Sequence, residues 1–159
     1  MKKRFIVLFV FLMSILVTAP AFAEKHCSLI GTYGFGFTTF SNDYFDDVSV
    51  ALSVDFDLVS KLGFTISLGN MVNFVVGQYI YNNPYIGIGY RYLADKWDFG
   101  LSIICVPLEF VNDALVGVKI TGGYWINDNF GLNLSMMLGG GAVSSIESFS
   151  MRSGVSIKL

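Results

Sequence analysis

Few side chains in this sequence can do chemistry, and their spacing excludes more reactions than it suggests. His26 is the single histidine, which rules out a paired-histidine metal site. It also precedes the first predicted strand, away from any wall or rim position from which it could serve a Ser/His/acid relay. The expectation is therefore a solvated residue, with no catalytic group and no metal. Gly139, Gly140 and Gly141 resemble a phosphate cradle, but no Lys-Ser/Thr pair and no helix follows, which leaves a flexible loop. The Gly34/Gly36 and Gly87/Gly89 spacings fall inside predicted strands, where a period of two accounts for them without a nucleotide. No cofactor is expected.

Cys27 follows Lys25 and His26 where a lipid-modified cysteine would follow aliphatic and small residues. Cys27 and Cys105 are placed near opposite ends of one wall, so two free thiols are expected. The informative groups are ionic. Asp55, Asp57, Arg91, Asp98, Lys119 and Arg152, with Lys158 beyond them, all occupy the small-residue faces of predicted strands. Charges that face an interior need partners. These residues should form a structural ionic plug; the alternative is a gate or selectivity ring in a narrow pore. Tyr85, Ile104, Leu115 and Met137 share those faces toward the other end without any charge, forming either ordinary packing or a small apolar vestibule.

The elements that must position these groups are strands. The chain opens with Lys2, Lys3 and Arg4, an apolar run from Phe5 to Ala19, and small residues ending at Ala23, the pattern of a cleaved export signal over residues 1–23. Three of the ten basic residues lie there, so residues 24–159 carry −5 instead of the whole chain's −2, which argues against nucleic acid as a partner. That remainder suits one domain. With 53% hydrophobic and 14% charged residues, yet no later apolar run long enough for a spanning helix, two homes remain: a soluble β-protein or a membrane barrel.

Alternation decides between them. Residues 48–58 set Val48, Val50, Leu52, Val54, Phe56 and Leu58 against Ser49, Ala51, Ser53, Asp55 and Asp57, a period of two that marks a strand between unlike surroundings. The same pattern recurs over 29–40, 62–69, 84–93, 97–106, 114–125, 130–138 and 146–159, giving eight strands of roughly the 9 to 11 residues that a tilted crossing needs. Turns near Ser60, Asp95 and Asp128 are short, whereas connections over 41–47, 71–83, 107–113 and 139–145 are longer. Residues 70–83 either extend both flanking strands or form an extra hairpin.

Bulky residues crowd one face of each strand, while glycine, serine, threonine and charge occupy the other. The interior of an eight-stranded barrel is just wide enough for side chains to fill, so the small face must be the inner one and the bulky face must meet lipid. The fold class is thus all-β, a closed antiparallel up-and-down transmembrane barrel. Phe56, Tyr90, Tyr92, Trp97, Phe99, Tyr124 and Phe130 gather near the short turns as an interfacial belt. On the long-loop rim, Asp43, Asp46, Asp47, Glu109 and Asp113, with Tyr44 and Phe45 among them, form an acidic edge suited to a cation or a basic partner, or simply to water.

The ending Arg152-Ser-Gly154-Val-Ser-Ile157-Lys-Leu159 resembles the C-terminal assembly signal of bacterial outer-membrane barrels. Arg152, Gly154, Ile157 and Leu159 match its polar, glycine and hydrophobic places, although Leu159 stands where many members have phenylalanine. The whole plan resembles small barrels of the OmpX, OmpA-barrel and OmpW kind. That resemblance implies an outer-membrane location, outer-membrane lipid and the barrel-assembly machinery as partners, and a non-enzymatic role. The role is either a narrow passive channel or vestibule for small hydrophobic solutes, or a structural or adhesin-like barrel with a plugged lumen and acidic loops.

Overall fold

The structure, a computed structural model, describes residues 27–41, 46–74, 80–108, 113–141 and 147–159. The export signal, His26, Asp43, Tyr44, Phe45 and Glu109 lie outside the described residues, and Asp46, Asp47 and Asp113 enter only as strand ends. Eight antiparallel strands close on themselves in chain order: β1 (Cys27–Ser41), β2 (Asp46–Ser60), β3 (Phe64–Phe74), β4 (Ile80–Leu93), β5 (Trp97–Leu108), β6 (Asp113–Trp125), β7 (Phe130–Gly141) and β8 (Glu147–Lys158). Most strands run longer than alternation alone predicts, because their ladders continue past the apolar band; the β4–β5 ladder, which ends at Ile86 and Cys105, is the exception. Met71–Phe74 and Ile80–Asn83 pair with one another as continuations of β3 and β4, so among the described residues the strands number eight and not ten.

Closure has a defined stagger. A ladder traced from Ile30 through Asp57, Ser67, Gly87, Ile104, Gly117, Gly139 and Ser148 returns to β1 at Phe40, ten residues along the strand from its start. Eight strands with a shear of ten must tilt by roughly 40° and leave a lumen that side chains fill. Because the ladder climbs as it goes round, each layer of the lumen is assembled from positions that sequence order does not align.

The short turns share the rim that holds both β1's start and β8's end. Gly63, with φ of 90°, closes the β2–β3 turn by donating to the Ser60 carbonyl at 2.9 Å. Gly63 is therefore a turn residue and not the inward strand position that its alternation suggested; only glycine takes this backbone conformation without strain. At the β6–β7 turn, the Asn127 side-chain oxygen accepts from the amides of Asn129 at 3.0 Å and Phe130 at 2.8 Å, an arrangement that gives the short turn its own hydrogen bonds.

The wall separates two surroundings. Phe35, Ile88 and Ile103 on the outer face are 60%, 65% and 62% exposed, whereas Thr38, Asp55 and Ser150 on the inner face are at most 1% exposed. This inverts the sorting of a water-soluble protein, and the eight strands close into a barrel in which each is paired to both neighbours. Gly31 and Gly122 depart from the small-residues-inward rule by facing outward, and the rings of their ladder partners Phe56 and Phe99 lie over them, the pairing that covers exposed glycine in sheets.

Candidate functional site

All six charges expected on the inner faces are buried in the lumen, and they meet in one tier rather than dividing between the short-turn end and mid-barrel. β2 contributes Asp55 and Asp57 two residues apart on its inner face, β4 Arg91, β5 Asp98, β6 Lys119 and β8 Arg152; each is 1–3% exposed. Arg91 donates through Nη1 to Asp57 and through Nη2 to both oxygens of Asp98 at 3.0 Å. Lys119 Nζ lies 3.3 Å from Asp55 and 3.8 Å from Asp57, while Arg152 Nη1 lies 3.6 Å from Asp55. Three acids face three bases, so the cluster is formally neutral, as burial demands. Ser67 adds a hydroxyl donation to Asp57 at 2.6 Å.

Two of the four residues in the uncharged group are tied to this network. Lys119 donates to the Tyr85 hydroxyl at 2.9 Å, with its ammonium 5.2 Å from the centre of that ring. Arg152 Nη2 lies 2.8 Å from the Met137 sulfur. Tyr85 and Met137 thus form the ceiling of the ionic cluster. Above them Ile104 and Leu115 pack with Phe40 and Val106, and the cavity that remains, lined also by Met71 and Asn83, is about 20 Å³, room for a single water. Thr38 and Ser150 direct their hydroxyls to the Met71 sulfur at 3.3 and 3.7 Å. The upper lumen is packed.

The base of the lumen was not foreseen. Ile30, Val59 and Trp125 form a buried apolar cluster with Leu93 against it, and Lys158 stands 5.3 Å from the centre of the Trp125 ring. The two expected halves, charged below and uncharged above, give way to three tiers: an apolar floor, an ionic middle and an apolar ceiling. The signal lay in strand phase, since Trp125 and Val59 continue the inward alternation of Lys119 and Asp57. Val59 lay beyond the predicted end of β2 at Leu58, while Ile30 and Trp125 lay at the very ends of their predicted strands, where the alternation was not followed.

The C-terminal residues have separate positions. Arg152 belongs to the ionic tier. A side chain at Gly154 would collide with the Tyr33 carbonyl and Gly34 of β1, so glycine there allows the closing ladder to form. Ile157 sits on the outer face, and Leu159, 58% exposed, donates its amide to the Leu29 carbonyl at 2.9 Å. Cys27 and Cys105 are free thiols at opposite ends of the wall. Among the described residues no cluster of histidine, cysteine and carboxylate side chains could hold a metal ion.

No family model matches the chain, and no curated protein matches it. Solved structures do. A de novo designed transmembrane β-barrel superposes with a TM-score of 0.60 at 13% identity, covering 83% of this chain and 95% of the design. Neisserial surface protein A gives 0.56 at 12% identity, covering 82% of this chain and 97% of that one. Ail, the attachment invasion locus protein of Yersinia pestis, solved with the heparin analogue sucrose octasulfate, gives 0.54 at 6% identity, covering 84% and 99%. At such identities the likeness concerns architecture, and the architecture is that of the small eight-stranded transmembrane barrels.

Proposed function

We propose that this protein is an integral outer-membrane barrel without catalytic activity, whose closed lumen serves as a structural core and whose role is exerted through its surface. One observation carries the reading: an ionic middle and an apolar ceiling fill the lumen above the cavity of about 400 Å³ that opens at the short-turn rim beside Arg91 and Leu93, and the cavity left in the upper tier is about 20 Å³. A conducting pore needs wetted radius along its length, which the packed upper tier does not leave. The outer-membrane address rests on the export-signal pattern, the outward apolar band and the C-terminal strand ending, through which the assembly machinery would engage the chain. The acidic long-loop rim is the surface available to a cation or a basic partner.

Single-channel recording on protein refolded into planar bilayers tests the closed lumen. The expected result is no conductance from protein that keeps the heat-sensitive gel migration of a folded barrel. Sustained, salt-dependent steps would overturn the reading in favour of a narrow channel.

A further inference from the structure

The β4–β5 ladder stops early. Its last rung is Ile86 with Cys105, although β4 continues to Ile80 and β5 to Leu108. Each strand stays paired on its other side, β4 to β3 as far as Ile80 and β5 to β6 as far as Leu108. The edges are therefore held in strand conformation while facing one another unzipped.

The cause is readable from the register. The turn bond from the Ala94 amide to the Trp97 carbonyl sets the parity of this ladder, so its hydrogen-bonded rungs fall at every second pair, at Tyr92/Phe99, Tyr90/Leu101, Ile88/Ile103 and Ile86/Cys105. The next such rung joins Pro84 to Pro107. Neither has an N–H, so neither of its two bonds can form. These are two of the chain's three prolines, and they face each other across one gap.

We propose that this gap is a lateral port through which the hydrocarbon chain of a membrane lipid reaches the apolar ceiling tier. The occupant follows from both sides of the wall. Outside, Ile86, Ile88, Ile103 and Val116 flank the gap on the lipid-facing surface, 50–65% exposed. Inside, Tyr85, Ile104, Val106 and Leu115 present the buried apolar cluster, and the ionic tier below bars passage toward the short-turn rim. A compartment barred toward the short-turn rim, lined mainly by apolar side chains with Asn83, Ser148 and Ser150 among them, and unzipped along a seam that faces the bilayer suits an acyl chain better than a polar solute. The 20 Å³ cavity is the space at rest, so entry displaces ceiling side chains, which the missing rung permits.

The test uses the full barrel refolded in phosphatidylcholine/phosphatidylglycerol vesicles containing a trace of phospholipid with a diazirine at its acyl terminus. After irradiation, mass spectrometry maps the adducts. Labelling of inward-facing Val106 and Leu115 alongside outward Ile88 and Leu101 is expected, with the inward adducts lost in Pro84→Val/Pro107→Val, where both N–H groups return, and the outward ones kept. Inward residues unlabelled in the native chain, or labelled equally in the double variant, would overturn the port. So would a product linking two copies at this seam, which would assign the free edges to self-association. If the double variant fails to show folded gel migration, Pro107→Val alone restores one N–H and is expected to reduce inward labelling; no reduction in folded protein counts against the port. Because labelling is read independently of conductance, failure here leaves the closed-lumen reading standing.

Discussion

Within the ionic tier the six residues are not equivalent, and their partners rank them. Arg91 donates through one terminal nitrogen to both oxygens of Asp98 and through the other to Asp57, so a single guanidinium bridges two carboxylates by charge-assisted hydrogen bonds. Removing it takes away Asp98's ion-pair partner and leaves Asp57 with Ser67 and the more distant Lys119, so Arg91→Met is expected to cost about 3–5 kcal/mol. Arg152 leans on a thioether, a weak acceptor, and its loss leaves Asp55 with Lys119. Arg152→Met should therefore cost clearly less than Arg91→Met. Equilibrium urea unfolding of the refolded barrel measures both, and a reversed order would contradict the ranking. In the double variant Asp57→Asn/Arg91→Met the penalty should fall below the sum of the single changes, since each removes the other's unpaired charge.

For the strands the decisive feature is how closely backbones approach where β8 meets β1. Gly34 and Gly154 face each other across that ladder, and an added methyl group at Gly154 would collide with the Tyr33 carbonyl. Gly154→Val is expected to block closure, seen as loss of the folded band in unheated gels. Gly122→Val, outward and in ordinary contact with Phe99, should leave that band intact. Alternation alone could not separate these two glycines by consequence: one lies at a backbone crossing and the other beneath a ring. Strand identity and facing were legible because a period of two survives any tilt. Strand ends and Gly63 were less so, since a ladder can outrun the apolar band and a turn can imitate alternation for one residue.

Across the whole molecule the two tryptophans report on the two surroundings. Trp97 is 54% exposed on the outer face beside Tyr124, with ring centres 4.8 Å apart, whereas Trp125 is 5% exposed on the lumen floor. They are 28 residues apart in the chain but on opposite sides of one wall. Brominated lipid is expected to quench Trp97 and spare Trp125, so Trp97→Phe should abolish most quenching while Trp125→Phe preserves it. Comparable quenching of both would mean that the floor tier is open to lipid.

What the sequence by itself determined was the identity of the wall: eight segments, their facing, the outward apolar band and the six interior charges. All of these follow from local periodicity and from the rule that buried charge must be partnered. Only the tertiary structure decided which charges meet, because a shear of ten brings Asp55 to Lys119 and Arg152, and Asp57 to Arg91, across strands far apart in the chain. It also decided that Tyr85 and Met137 cap the charges instead of lining an open vestibule, that Trp125 closes the floor, and that Pro84 and Pro107 fall on one rung. Register is a property of the closed barrel, set by the ladders together, and no single strand encodes it.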